Sequence, residues 1–284
     1  MEIRVFSPAS FPSPRESWMD SLGLTYQAQL PSETFAGFAR SDQERATELN
    51  NILSDDVLGI ASRGGYGCQR MLPYINVPQK VEAKLCGFSD LTVLLNYLYQ
   101  EYNTSCFHGP MMQWPSETHT RSLLWQSFQS IVLKNSSFDC TFQGRFLNCK
   151  ALSGSIIGGN LSVICASLGT PFAPKLSGKL LFLEDINEPS YKIDRMLDQL
   201  SKQDDFKDLR GILFGSFRDC NVSPRDSGDL NVEELIGDFC FRSQIPAIIG
   251  LPVGHLDDFV CFRIGSKVRF EAVSNSQILW RIEG

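Results

Sequence analysis

The run Gly87-Phe88-Ser89-Asp90 places a serine hydroxyl where acyl transfer would want one. It falls between an alternating, strand-like stretch, Val81 to Cys86, and a helix-patterned one, Leu91 to Tyr99. A serine on a sharp strand-to-helix turn presents its hydroxyl, and the first N–H groups of the helix are free to meet an oxygen that becomes negative. The hydrolase elbow reads G-x-S-x-G, whereas position 91 is Leu. Taken alone, the stretch is also satisfied by Ser89 or Asp90 capping an ordinary helix. A serine nucleophile needs a base, and the base needs a partner that holds its tautomer. The chain offers three histidines. His119 lies in a polar Ser-Glu-Thr-His-Thr stretch and reads as a solvated loop residue, while His108, in Phe107-His108-Gly109-Pro110, reads as a core or turn histidine. His255 closes Gly250-Leu251-Pro252-Val253-Gly254-His255, directly after the apolar run Ala247 to Leu251. Catalytic groups collect at the carboxyl ends of α/β strands, and a turn histidine satisfying backbone groups is the alternative.

Glu184 likewise follows a buried strand, Leu180 to Leu183, where a half-desolvated carboxylate can accept an imidazole N–H. Asp185 and Glu188 stand close by; each is also suited to cap the next helix or pair with Arg195. Gly64, Gly65 and Gly67 form a lone G-G-x-G that lacks the fuller phosphate-binding patterns. Such a turn can instead present a backbone N–H to a carbonyl oxygen, as a second oxyanion donor. Arg63 and Tyr66 flank it and can hold a substrate carboxylate, or pack and pair at the surface. A thiol alternative exists: Cys106 shares a strand face with His108, and Cys68 follows the glycine turn. Nothing around them suggests a lowered thiol pKa or an elbow, so buried inert thiols are expected.

The elements that must position these groups alternate. Strand signals at Ile3–Phe6, Asp56–Ala61 and 81–86 are separated by helix signals opening at Ser41-Asp42 and spanning Arg70–Ile75, with a further helix at 91–101. The second half carries a helix after Gly158-Gly159-Asn160 and others at Ile193–Leu200 and Val232–Arg242. Its strands are expected at Lys179–Leu183, Gly211–Phe217, Ala247–Leu251, Phe259–Ile264 and Val268–Ala272. This βα alternation predicts parallel sheets with helices on both faces. Trp114 to Lys150 is polar, with short β-like pieces such as Ser130–Leu133. The expected organisation is therefore residues 1–115 with the serine, 116–150 as a connecting region, and 151–284 with the glutamate and histidine. At 284 residues, with 43% apolar and 20% charged residues and net charge −6, the chain reads as globular and not as a nucleic-acid binder. No apolar run suggests a secretory signal or a membrane span. Nine cysteines without a C-x-x-C pair, several inside apolar stretches, fit a reduced, cytoplasmic protein, and the histidines are not spaced with them as zinc ligands.

Six stretches together resemble the LD-carboxypeptidase family, serine peptidases that include muramoyltetrapeptide carboxypeptidases and microcin C immunity peptidases. They are Ser62-Arg63-Gly64-Gly65-Tyr66-Gly67, Gly87-Phe88-Ser89-Asp90-Leu91-Thr92, His108-Gly109-Pro110-Met111, Gly158-Gly159-Asn160-Leu161, Leu183 to Glu188, and Gly250 to His255. Each is weak alone; in the family's order they are specific. The resemblance implies a flavodoxin-like (class I glutamine-amidotransferase-like) N-terminal domain with a parallel sheet, and a smaller C-terminal α/β domain. It implies Ser89 as nucleophile, Glu184 as orienting carboxylate and His255 as general base and acid, with Asp90 and Gly65 N–H groups as oxyanion donors. It further implies release of a terminal D-alanine from peptidoglycan tetrapeptides, without metal or organic cofactor, by an enzyme that is often a homodimer. Two alternatives stand beside it. One is the same chemistry on a microcin-type peptidyl-adenylate, with Trp114 or Trp125 as an adenine platform. The other is a peptide-binding module without catalysis.

Overall fold

The run Val57–Ala61 is buried at all positions, as a strand covered on both faces must be. It is a central strand in a computed structural model that describes residues 1–12, 17–114, 120–220 and 231–284. His119 lies outside these described residues. The chain divides into two units, Met1–Asn135 with Asp257–Ile264, and Ser136–Leu256 with Gly265–Gly284.

The first unit runs β1 (Glu2–Phe6), α1 (Trp18–Ser21), β2 (Gln27–Ala28), α2 (Asp42–Leu53), β3 (Val57–Ala61), α3 (Cys68–Met71), β4 (Lys84–Gly87), α4 (Thr92–Tyr102), β5 (Ser105–His108) and α5 (Leu123–Ser127). Its strands lie in the order β2-β1-β3-β4-β5, all parallel, and an antiparallel piece, Phe262–Arg263, borders β5. Helix α2 starts where its sequence says it should. The Ser41 hydroxyl accepts the Glu44 N–H and the Glu44 carboxylate accepts the Ser41 N–H, a capping box. Ser130–Leu133, expected as strand-like, instead belongs to a π-helical stretch, Phe128–Leu133, that continues α5. Phe128, Ile131 and Val132 are buried at spacings of three and four, so helical periodicity overrides the β-branched composition.

The second unit contains β6 (Phe138–Gln143), β7 (Arg145–Leu147), β8 (Ala151–Asn160), α6 (Leu161–Ser167), β9 (Lys179–Ile186), α7 (Ser190–Ser201), β10 (Gly211–Arg218), α8 (Val232–Ser243) and β11 (Ala247–Ile249). The chain then returns to the first unit as β12 (Phe262–Arg263) and comes back as β13 (Lys267–Ala272) and β14 (Gln277–Ile282). Strands β8 to β11 are mutually parallel; β13, β14 and β6 extend the sheet antiparallel beyond β8, and β7 pairs antiparallel with β11. The two end strands, β6 and β7, are one segment interrupted at Gly144.

Three expectations change here. The connector expected at 116–150 is, over its described residues 120–150, divided between the units: α5 and its extension belong to the first, β6 and β7 to the second. Phe259–Ile264 was expected as a C-terminal strand, but only Phe262–Arg263 is a strand, and it joins the N-terminal sheet beside β5. The second unit is not markedly smaller, because the antiparallel strands add to its parallel core.

Candidate active site

Ser89 has φ +63, a left-handed conformation that side chains other than glycine adopt only when the surroundings enforce it. Phe88 before it is extended and wholly buried. Ser89 itself opens a short 3-10 turn, Ser89–Leu91, that feeds α4. The departure at position 91 has a packing explanation. A side chain on Gly87 would lie 2.6 Å from the Leu91 Cδ2, so the buried leucine fills the space above Gly87 and closes the elbow. The strained serine at an exit from a parallel strand is the strand–turn–helix context a nucleophile elbow requires.

The glycine turn lies against this serine. A Cβ on Gly64 would sit 2.9 Å from Ser89 Cβ, 3.1 Å from its Oγ and 3.5 Å from the Asp90 nitrogen. Gly64, which the sequence reading passed over in favour of Gly65, is therefore the residue whose missing side chain makes room for the hydroxyl. Gly65 has φ +108 and faces Ser10, whose hydroxyl accepts the Tyr66 N–H at 3.1 Å. The Asp90 carboxylate turns inward and accepts the Cys68 N–H at 2.8 Å. Burial pushes the Asp90 carboxyl up, and the Cys68 donor and the Arg45 charge pull it partly back. Arg63 is half-buried and donates to the Phe11 carbonyl at 3.3 Å, whereas Tyr66 is 60% exposed, its ring 5.3 Å from that of Phe38. His108 is a core residue as expected, its ring stacked on Phe262 at 5.3 Å and beside Phe88 at 5.7 Å. Burial pushes the Cys106 thiol up, and burial with the nearby Asp90 does the same to Cys68, so both are poor nucleophiles.

In the second unit His255 Nδ1–H donates to Glu184 Oε2 at 2.7 Å, with both residues buried. That bond fixes the tautomer, with the ring proton on Nδ1. Glu184 lies within β9, which runs three residues beyond the expected strand end. Gly254 has φ +101, and a Cβ there would come 2.8 Å from Glu184 Cβ and from Oε2. Only glycine lets the His255 loop approach the carboxylate this closely. Arg218 Nη1 donates to the His255 carbonyl at 3.2 Å, holding the loop from β10.

The neighbouring acids serve other purposes. Asp185 accepts Asn160 Nδ2–H at 2.9 Å and the Ser162 N–H at 2.8 Å, so it ties down the start of α6, not the following helix. Burial first, then the Glu184 charge, pushes its carboxyl up to about 6. Glu188 pairs with Lys192 at 3.2 Å, and Arg195 lies 5.1 Å from the Tyr191 ring. The geometry thus singles out Glu184 among the three acids. The two tryptophans offered as nucleotide platforms both pack on aromatic neighbours: Trp125 stacks on Phe128 at 6.1 Å, and Trp114 meets Phe88 edge-on at 6.4 Å. Among the described residues no helix is long and apolar enough to cross a membrane.

The first unit thus carries a strained serine at a strand–helix elbow, and the second a buried imidazole–carboxylate pair. Residues 3–109 match the LD-carboxypeptidase N-terminal domain and residues 153–270 its C-terminal domain. The chain belongs to the LD-carboxypeptidase family. It is 31% identical to the murein tetrapeptide carboxypeptidase of Pseudomonas aeruginosa, over 75% of this chain and 72% of that one. It is 29% identical to a probable murein peptide carboxypeptidase of Bacillus subtilis, over 98% and 91% respectively. The crystal structure of muramoyltetrapeptide carboxypeptidase from Oxalobacter formigenes superposes with a TM-score of 0.85, at 25% identity and 99% coverage of both chains.

Proposed function

We propose that this protein is a cytosolic serine-type LD-carboxypeptidase that releases the terminal D-alanine from peptidoglycan-derived tetrapeptides during muropeptide recycling. The observation that carries the reading is the buried 2.7 Å bond from His255 Nδ1–H to Glu184, which prepares Nε2 as a base. Ser89 Oγ attacks the carbonyl carbon and passes its proton to His255 Nε2, and Glu184 stabilises the imidazolium. The N–H groups of Asp90 and Gly65 hold the oxyanion. Collapse of the intermediate breaks the C–N bond, His255 protonates the departing D-alanine amine, and water, activated by the same base, releases the tripeptide. Arg63 and Tyr66, on the glycine turn, bind the terminal carboxylate of the peptide. The mechanism calls for no metal or organic cofactor.

The strand order β2-β1-β3-β4-β5 supports a flavodoxin-like description of the first unit. In solution the enzyme is a homodimer, which light scattering after size exclusion would check. Mass spectrometry of products from a panel of defined tetrapeptides tests the substrate, with a peptidyl-sulfamoyl-adenosine alongside. The expected product is the tripeptide plus D-alanine, and Ser89→Ala should lose roughly 10³-fold or more in kcat. Near-normal turnover by Ser89→Ala, or cleavage of the adenylate analogue alone, overturns the reading.

A further inference from the structure

Arg45 stands in a hydrophilic stretch of α2, yet its side chain is wholly buried. A charge is kept inside a protein when its donors are engaged and its field is compensated. Here Nε donates to the Arg40 carbonyl at 3.2 Å, Nη1 to the Pro8 carbonyl and to the Gly67 carbonyl at 2.9 Å, and Nη2 to the Asp42 carboxylate. Its guanidinium lies 5.0 Å from the Phe38 ring centre, and the Arg70 guanidinium lies 4.8 Å from the same centre.

What Arg45 holds is the glycine turn. Gly67 has φ +126, and a side chain there would meet Phe38 at 2.8 Å and Arg45 Nη1 at 3.0 Å, so the turn closes directly onto the guanidinium. The other end of the turn is Gly64, packed against the Ser89 hydroxyl. The residue after Gly67, Cys68, donates its N–H to the Asp90 carboxylate, which ties the elbow to the same network. A single planar fork therefore braces the chain after β1, the start of α2 and the turn beside the nucleophile. Lysine, a point charge, cannot reach all three.

We propose that Arg45 is a positioning residue for oxyanion stabilisation: it fixes the 64–67 turn, with Asp90 linked to it through Cys68, so that their N–H groups stay aimed at the developing negative charge. The inference rests on the serine-hydrolase reading above. Preorganised donors act on the transition state more than on the bound substrate, so the effect belongs in kcat.

The test uses the full chain, with D-alanine release from a tetrapeptide, thermal melting to establish folding, and the rate at which a serine-reactive phosphonate labels Ser89. Arg45→Gln should lower kcat by roughly 30-fold or more, with KM within about threefold, and slow phosphonate labelling in parallel. Arg45→Lys should recover only part of the loss. A folded Arg45→Gln with kcat within about twofold of the parent, or a loss carried by KM, overturns the proposal. If Arg45→Gln does not fold, Asp42→Asn decides, because it loosens the guanidinium from a partly exposed position. A severalfold drop in kcat at constant KM supports the proposal, and an unchanged kcat overturns it. Ser89→Ala separates the two levels: activity in that variant sinks the hydrolase reading itself. An inert Ser89→Ala beside normal Arg45 variants sinks only the role of Arg45.

Discussion

The two units build their candidate catalytic groups from different materials. Around Ser89 the construction is mostly backbone: a left-handed serine, an extended Phe88 and a glycine turn whose Gly64 leaves room for the hydroxyl. Around His255 it is one side-chain bond to Glu184, buried and approached through Gly254. A backbone-built site tolerates changes in surrounding side chains but not a new Cβ. A side-chain pair depends on two residue types and on whatever keeps water away from them. In both units a glycine is the residue that permits the approach, so the contrast can be probed by adding one methyl group to each.

Gly254→Ala should have the larger effect. Its Cβ would lie 2.8 Å from Glu184 Oε2 at φ +101, so both strain and steric overlap move the His255 loop. A fall in kcat of about 10- to 100-fold is expected, with a lowered melting temperature. Full activity would mean that the His255–Glu184 bond does not set the rate. Gly64→Ala comes next. Its backbone is not left-handed, and the new methyl would press on Ser89 Cβ at 2.9 Å. A loss of about 10-fold in kcat and in phosphonate labelling is expected, with little change in melting temperature. If it melts far lower than Gly254→Ala, the turn beside Ser89, and not the His255 loop, is the place less tolerant of a Cβ.

The smallest effect concerns pH and the acid beside Glu184. Asp185 is pushed up to about 6 in the fold, so the native state binds a proton more tightly than the unfolded chain. Between about pH 4 and 6 this group lowers stability as pH rises, and raises it as pH falls. Asp185→Asn should remove that contribution, making the melting temperature less sensitive to pH across this window than in the parent. Parallel curves for the two proteins would show that the Asp185 carboxyl is not pushed up in the fold.

The same division governs what could be read in the residues beforehand. The glycine motif at 64–67 is visible because backbone constraints select residue types, and it marks a turn, whereas Gly87 and Gly158-Gly159 close strands β4 and β8 just before their helices. Local cues did not separate Glu184 from Asp185 and Glu188, because neighbouring acids at a strand end share them; the family resemblance alone pointed to Glu184, the acid that the structure pairs with His255. Arg45 was invisible for the opposite reason. It lies in the polar run Asp42-Gln43-Glu44-Arg45, where nothing distinguishes an inward guanidinium from a solvated one. The longest misreading, residues 116–150, arose where the chain passes between units and β-branched apolar residues sit in a helix extension. The return of Phe262–Arg263 to the first sheet is a pairing over 150 residues of sequence, which no local pattern records.

The segment interrupted at Gly144 carries a separate consequence for self-association. Because β6 and β7 lie at opposite ends of one hydrogen-bonded ladder yet are neighbours in the chain, the ladder ends where it began. Of the outermost strands, β7 is only three residues long and offers a second copy little backbone to extend, whereas β6 has six. Strand addition by a second copy would therefore find a shorter template at the β7 edge than at the β6 edge.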